Sequence, residues 1–302
     1  MDITIIKNIL LANKERVTVA GTGRLFFGRS QVDLPQINID YYSGLVIILV
    51  YERIEMQELE DLMRLITDVF PNILSIYYQN RLKRHPDWTH LYGDKLVEHL
   101  CSEFGNKFVV KLRENRNPGL FVDSSPLRQR IQLLSNSKIC LNLFSYTGSY
   151  TVVMIAGSAK RVDSYDMNPN FHNWCRQNLL ANGLGTKQTY FKKANILKSL
   201  GFIQKRGPYD LIVIDPPTMQ GSSFNWKKDY IKIIRRVPNW LSDNGIVFFV
   251  LNATNISSES FKEIIEANTN LLYFESDELL FASKADRDLK ILEYRVSDNL
   301  AE

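Results

Sequence analysis

Apolar and polar positions along this chain of 302 residues change rhythm near residue 125. Before that point, residues 38–52 read as two strands around a turn at Ser43-Gly44. Residues 56–70 follow helical spacing: Leu59, Leu62, Met63, Leu65, Ile66 and Val69 fall on one side, and Pro71 ends the helix. Residues 72–78 and 108–112 read as strands, and 115–119 form a turn-rich link to Leu120-Phe-Val-Asp123. After that point, short apolar runs and helical segments take turns. Strands are predicted at 138–144, 161–165, 209–214 and 246–251, with a helix at 151–156 and another after Asp166. Such alternation implies a parallel sheet covered by helices. The helix after Asp166 is the best marked. Asn168 can cap it, Pro169 suits its first turn, Phe171, Trp174, Cys175 and Leu179 share a face, and Asn182-Gly183 stops it. Residues 278–296 read as two strands around a polar loop, an antiparallel edge. The expected organisation is an N-terminal α/β domain over residues 1–125 and a second α/β domain, with a mostly parallel sheet, over 126–302.

Three pieces of the second domain carry candidate chemistry. The run Ile139-Cys-Leu-Asn-Leu-Phe-Ser-Tyr-Thr-Gly148 is a strand followed by a glycine turn. Asp166 ends the next strand, close to the ~20 residues expected between a glycine turn and an acid that holds ribose hydroxyls. Asp215-Pro-Pro-Thr218 ends a third strand. In an open α/β sheet these pieces meet outside the carboxyl ends of the strands. Gly148 is expected to let the backbone approach a ligand closely. Taken alone, a turn glycine is usually a turn and an acid after a strand is usually a solvated cap. The turn carries one glycine, a poor match to G-x-G-x-x-G, which argues against a pyrophosphate cradle and so against NAD. The combination favours S-adenosylmethionine as cofactor and a methyltransferase over a dehydrogenase.

Composition sets outer limits. Hydrophobic content of 45% and charged content of 23% are ordinary for a soluble globular protein. No apolar run approaches the ~20 residues of a membrane span. The first residues lack the pattern of a secretory signal. Cys101, Cys140 and Cys175 show no C-x-x-C spacing, and His85, His90, His99 and His172 show no ligand spacing, so a reduced cytoplasmic protein without a metal site is expected. A net charge of +4 permits a nucleic-acid partner without demanding one.

The chain resembles the bacterial large-subunit ribosomal RNA methyltransferases of the RlmI and RlmK type, and the RlmK half of the fused RlmKL enzymes most of all. Leu141-Asn-Leu-Phe-Ser-Tyr-Thr-Gly-Ser149, Val162-Asp-Ser-Tyr-Asp-Met-Asn168, Gln177-Asn-Leu-Leu-Ala-Asn-Gly-Leu184 and Tyr209-Asp-Leu-Ile-Val-Ile-Asp-Pro-Pro-Thr218 carry the resemblance. Asp33-Leu-Pro35, Asn38-Ile-Asp-Tyr-Tyr42 and Pro118-Gly-Leu-Phe-Val-Asp123 extend it upstream. The resemblance implies a class I methyltransferase (Rossmann-like) sheet, mostly parallel with an antiparallel edge, preceded by a smaller α/β domain. It also implies that Phe144, Tyr146, Thr147 and Gly148 line the methionine end of the cofactor. By the same resemblance Asp166 holds the ribose, Met167 packs on the adenine and Asn195, where the family usually has aspartate, accepts from the adenine amine. Asp215, Pro216, Pro217 and Thr218 would form the catalytic floor between cofactor and base. Two departures stand out. Asp123-Ser-Ser125 replaces the family's Asp-His-Arg, although Arg128 and Arg130 follow. The chain also shows no counterpart of the THUMP domain or the second methyltransferase half of the fused enzymes.

The chemistry open to these residues is limited. Guanine N7 already presents a lone pair, so its methylation needs positioning more than a general base. Cytosine C5 methylation needs a cysteine nucleophile. Asn252 stands near the strand end where related C5 enzymes would carry that cysteine, and none lies beside Asp215. Enzymes that methylate exocyclic amines place an aromatic after Asp-Pro-Pro; here Thr218-Met219 follows. Candidate RNA contacts are Arg81, Lys83 and Arg84, with Tyr77, Trp88 and Tyr92 as stacking partners, and Arg128. The alternative is that Tyr77 and Trp88 are core and the charges solvated. Lys227, Lys228, Lys232, Arg235 and Arg236 read as a solvated helix face. The leading expectation is methylation of large-subunit ribosomal RNA at guanine N7, with ribosomal RNA or a ribosome precursor as partner. A diverged binding protein without activity, or a methyltransferase for a small molecule or protein, stays open.

Overall fold

The computed structural model describes residues 2–29, 34–83, 87–276 and 288–296. The chain forms two compact units, Met1–Ser125 and Pro126–Glu302.

The first unit opens with a helix, α1 (Ile3–Ala20). Asp2 caps it by accepting from the amide of Thr4 at 2.9 Å, and Gly21 ends it in a left-handed conformation. Its sequence gives no clean stripe, because Ile5, Leu11 and Val19 are exposed while Ile6, Leu10 and Val17 are buried. The strands β1 (Thr22–Phe27), β2 (Ile37–Tyr42) and β3 (Leu45–Val50) follow, then α2 (Met56–Val69), β4 (Ser75–Asn80) and β5 (Trp88–Gly93). They form one five-stranded sheet in chain order, antiparallel except between β3 and β4. The β2–β3 turn puts Ser43 and Gly44 both at positive φ, as the predicted two-residue hairpin requires. Leu59, Leu62 and Ile66 of α2 join Ile39, Ile48 and Val50 in the core. A separate hairpin, β6 (Glu98–Glu103) and β7 (Asn106–Lys111), completes the unit.

The second unit begins with α3 (Ser125–Leu134) and β8 (Ile139–Leu143). Then come α4 (Ser149–Ala156), β9 (Arg161–Asp166), α5 (Pro169–Ala181) and β10 (Thr189–Lys193). A 3-10 turn, Ile196–Lys198, leads to α6 (Leu200–Arg206) and β11 (Tyr209–Ile214). The small hairpin β12 (Met219–Gln220) and β13 (Phe224–Asn225) precedes α7 (Trp226–Ile234). Last come β14 (Leu241–Asn252), α8 (Ser258–Glu266), β15 (Leu272–Phe274) and β16 (Leu289–Arg295). The sheet runs β10-β9-β8-β11-β14-β16-β15. The first five strands are parallel, and β16 runs antiparallel between β14 and β15. The predicted antiparallel edge is therefore present. Its described partner is residues 272–274, and the first strand predicted at the tail lies outside the described residues. Strand order reverses between β8 and β11, where ligands of open α/β sheets bind.

One buried carboxylate ties this sheet together. Asp163 on β9 accepts from Arg206 at 2.7 and 2.8 Å and from the Tyr209 hydroxyl at 2.9 Å, with Arg161 3.3 Å away. The bond to Tyr209 reaches past β8 to β11, so it holds strands that are not neighbours. Burial and the adjacent carboxylate push the Tyr209 phenol well up, which keeps it a donor. Removing Asp163 leaves a partly buried guanidinium without its carboxylate and the buried Tyr209 hydroxyl with only the Ile203 carbonyl, 3.4 Å away. Asp163→Ala is expected to lower the unfolding free energy by about 3 kcal/mol, and Asp163→Asn by less, in urea denaturation.

Candidate active site

The loop after β8 is unusual in its backbone. Phe144, Tyr146 and Gly148 all have positive φ, at 59°, 47° and 76°. Two of the three are aromatic, and such side chains enter this region at a cost of order 1–3 kcal/mol, met by the surroundings. The restraints can be named. The Ser145 amide donates to the Tyr165 carbonyl at 2.9 Å, and the Gly148 amide to the Ser145 carbonyl at 2.8 Å. The Tyr146 amide donates to Asp166 Oδ2 at 3.0 Å. Asn178 on α5 donates to the Thr147 carbonyl at 2.9 Å. The Phe144 ring packs against Phe224 of β13 at 4.9 Å, and the Tyr146 ring stands edge-on to Phe171 of α5 at 4.6 Å.

Gly148 is also needed for helix packing. A Cβ built there would overlap Cys175 Sγ and stand 2.6 Å from Cys175 Cβ. The missing side chain therefore admits α5 against the start of α4, and the space it opens is filled by protein. Cys175 and Cys140 are buried, as predicted, and burial raises both thiols to about 12. Neither is a thiolate nucleophile near neutral pH. Cys101 is buried too.

Asp166 ends β9 with its carboxylate almost wholly inside. Oδ1 accepts from the Asn168 amide at 2.8 Å, while Oδ2 takes the Tyr146 amide. Burial raises its pKa, and the backbone donors partly offset the rise. A carboxylate has about four lone-pair sites, so two amide bonds leave capacity for hydroxyls. Met167 follows at once and is 36% exposed, an apolar side chain at the rim beside a buried acceptor. Asn195 is half-buried and caps the 3-10 turn, with Oδ1 accepting from the Lys198 amide at 3.2 Å.

Asp215 directly follows β11 and accepts from the Tyr150 hydroxyl of α4 at 3.0 Å. Pro216 is buried, Pro217 half-buried and Thr218 exposed. The Thr218 carbonyl accepts from the Trp226 amide, which joins this turn to the start of α7. Beneath it, the Tyr230 hydroxyl lies 2.9 Å from the Ile214 carbonyl and 3.0 Å from that of Val250, bridging the ends of β11 and β14. Tyr150, Phe224 and Tyr230 were not singled out in the sequence. Their signal is position alone: one follows the glycine turn, one precedes the helix after Asp-Pro-Pro and one lies within that helix.

The loop after β8, Asp166 and Asp215 thus converge at the strand-order reversal. The residues fit a nucleoside that carries no phosphate, with an acceptor for hydroxyls beside an apolar rim. Most of the predicted RNA contacts belong to the first unit. Arg81 is half-buried and donates to Asn117 at 3.0 Å, and Lys83 pairs with Asp87 at 2.7 Å. Tyr77 is buried and donates to the Leu96 carbonyl, so it is core. Arg128 is buried. Asp33, Arg84 and His85 lie outside the described residues. Among the described residues no group of three or more His, Cys, Asp or Glu could hold a metal ion, and no helix is long and apolar enough to cross a membrane.

Comparison with known proteins gives the family. The S-adenosylmethionine-dependent methyltransferase family matches residues 23–280. The chain belongs to that family. Its cofactor is S-adenosylmethionine, and its fold is the expected mostly parallel sheet with an antiparallel edge. The ribosomal RNA large subunit methyltransferase K/L of Vibrio parahaemolyticus is 32% identical over 237 residues, 73% of this chain and 33% of that protein. Its counterpart in Shewanella loihica is 30% identical over 245 residues, 76% of this chain and 34% of that protein. The chain therefore spans about a third of the length of these relatives. The crystal structure of SMU.776 complexed with SAH superposes with a TM-score of 0.82 at 25% identity, covering 98% of this chain and 82% of that one.

The Gly148–Cys175 contact can be tested directly. Gly148→Ala should cost about 2 kcal/mol or more in stability, from left-handed strain plus overlap. Cys175→Gly in the same chain should recover the steric part and not the backbone part, so the two changes should be non-additive in a double-mutant cycle read by denaturant unfolding.

Proposed function

We propose that this methyltransferase acts on large-subunit ribosomal RNA and methylates guanine N7. The observation that carries the reading is the 32% identity to a ribosomal RNA large subunit methyltransferase K/L across most of the chain. The site chemistry supports it. S-adenosylmethionine, when bound, supplies a methyl group on a positive sulfur. Guanine N7 offers a lone pair without losing a proton, so the protein has to position and desolvate rather than abstract. In this reading Asp166 accepts hydrogen bonds from the ribose hydroxyls, Met167 covers the adenine, and Asn195 reaches its amine. Phe144, Tyr146, Thr147 and Gly148 form the wall beside the methionine end. Asp215, fixed by Tyr150, with Pro216, Pro217 and Thr218, forms the floor on which the guanine edge rests. The buried, weakly acidic Cys140 and Cys175 speak against C5 chemistry.

Asp166 gives this reading a pH signature. Its ionised form is the better acceptor, and burial raises its pKa above 3.8. Cofactor affinity measured by calorimetry should therefore fall as pH drops through that raised value, and Asp166→Asn should bind weakly with no such dependence. The sign for stability is opposite. The folded chain holds this proton more tightly than the unfolded one, so ionising Asp166 costs stability as pH rises through the same window. Transfer of labelled methyl groups to unmodified large-subunit RNA tests the substrate. The expected product is a single guanine that becomes sensitive to borohydride and aniline cleavage. Labelling at a cytosine carbon or an exocyclic amine, or no labelling, would overturn the assignment.

A further inference from the structure

Charge in the second unit is unevenly placed. From Met167 through Tyr209 the sequence has seven Lys and Arg and no Asp or Glu, more positive charge than the whole chain's net +4. This stretch makes α5, β10, the 3-10 turn and α6. Within it Lys198 and Lys205 are exposed. Phe202 on α6 is 42% exposed, with Lys192 over its ring at 5.2 Å.

A second basic run lies on α7. At 3.6 residues per turn, Lys227, Lys228 and Lys232 fall within about 140° of the helix circumference. All three are exposed, while Tyr230, Ile233 and Ile234 face the core. Lys232 is paired with Asp229 at 2.7 Å. The two runs are neighbours, because α7 packs against the 3-10 turn that carries Lys198. Both α6 and α7 bury their apolar residues on the same face of the sheet, in one core with Leu141, Ile212 and Phe249. The amino end of α7 is joined to Thr218 by the Trp226 amide. A polyanion lying on Lys198, Lys227 and Lys228 therefore runs beside the Asp215-Pro-Pro-Thr218 turn.

We propose that this surface, formed by the 3-10 turn, α6 and the exposed side of α7, binds the RNA backbone and delivers the target nucleotide to the site. The inference rests on the RNA-substrate reading above and names the contact surface. Lysines suit phosphates, and an exposed aromatic among them suits an unstacked base. A structural reason for the lysines of β10 exists, since edge strands are guarded by charge. That reason does not extend to α7 or the 3-10 turn.

The test uses the full chain and a fluorescent fragment of unmodified large-subunit RNA, with anisotropy read over a range of salt. The variant combines Lys198→Ala, Lys227→Ala and Lys228→Ala. Three lost phosphate contacts should reduce the slope of log affinity against log salt by ~2 and weaken binding more than tenfold at low salt. Calorimetric binding of S-adenosylmethionine should be unchanged, and Lys160→Ala, at an exposed position before the start of β9 and so at the strand end opposite Asp166, should leave RNA affinity unaltered. RNA binding with an unchanged slope in the triple variant would overturn this surface and leave the substrate reading intact. So would an equal loss in Lys160→Ala. No RNA binding by the natural chain at low salt would overturn both. Polyglutamate bound as tightly as RNA, and lost in the same variant, would point to an acidic protein and overturn the assignment to RNA.

Discussion

Two backbone amides, those of Tyr146 and Asn168, converge on the carboxylate of Asp166, and the site depends on that convergence. One amide belongs to the strained loop after β8 and the other to the entry of α5. A single buried acid thus helps set the distance between two elements that also meet through Asn178 and the Phe171 ring. The loop holds two aromatic residues in a left-handed conformation, which a free peptide would abandon. Here the alternative would leave a buried charge short of a donor, which costs more than the strain. The acid is at once a structural anchor and the group best placed to meet a ligand's hydroxyls.

Asp163 does the corresponding work lower in the sheet. Its bonds to Arg206 and Tyr209 tie β9 to the end of α6 and the start of β11 across the intervening β8. Strand order, and hence the point of reversal, is held by polar contacts that the apolar alternation alone would not specify. Between the two acids, Asn142, Thr151 and Ser164 form a short hydrogen-bonded line inside the unit, from β8 through α4 to β9. The same strand that supplies the loop is thereby joined to the helix beginning at its far end.

Much of this was legible in the sequence, for reasons that differ by residue. The strand at 209–214 was found at its limits because Leu211-Ile-Val-Ile214 is an unbroken apolar run closed by Asp-Pro-Pro. The helix Pro169–Ala181 was found because cap, proline and stop signals are local. Gly148 was found, but not its packing role: a turn glycine does not reveal which neighbour its empty side faces. That depended on Cys175, a residue 27 positions away. Helix α1 was missed because its exposed Ile5, Leu11 and Val19 blur the stripe. Strand β10 was missed because Thr189–Lys193 has polar ends and only half-buried rings at its centre. Tyr150 and Tyr230 act through hydroxyls whose partners lie 65 and 20 residues off, and no spacing rule points to such pairs.

Tyr230 has one proton and two carbonyls within reach, those of Ile214 and Val250. A single donor cannot serve both at full strength, and each acceptor competes for it. The arrangement behaves as a compliant joint rather than a rivet. If the end of β11 shifts, the proton leans toward the carbonyl that stays, and no donor is stranded. The turn that carries Asp215 therefore rests on a support that yields by small amounts without losing a bond. That gives the floor of the site some freedom to settle against whatever it holds, while the loop above it stays fixed.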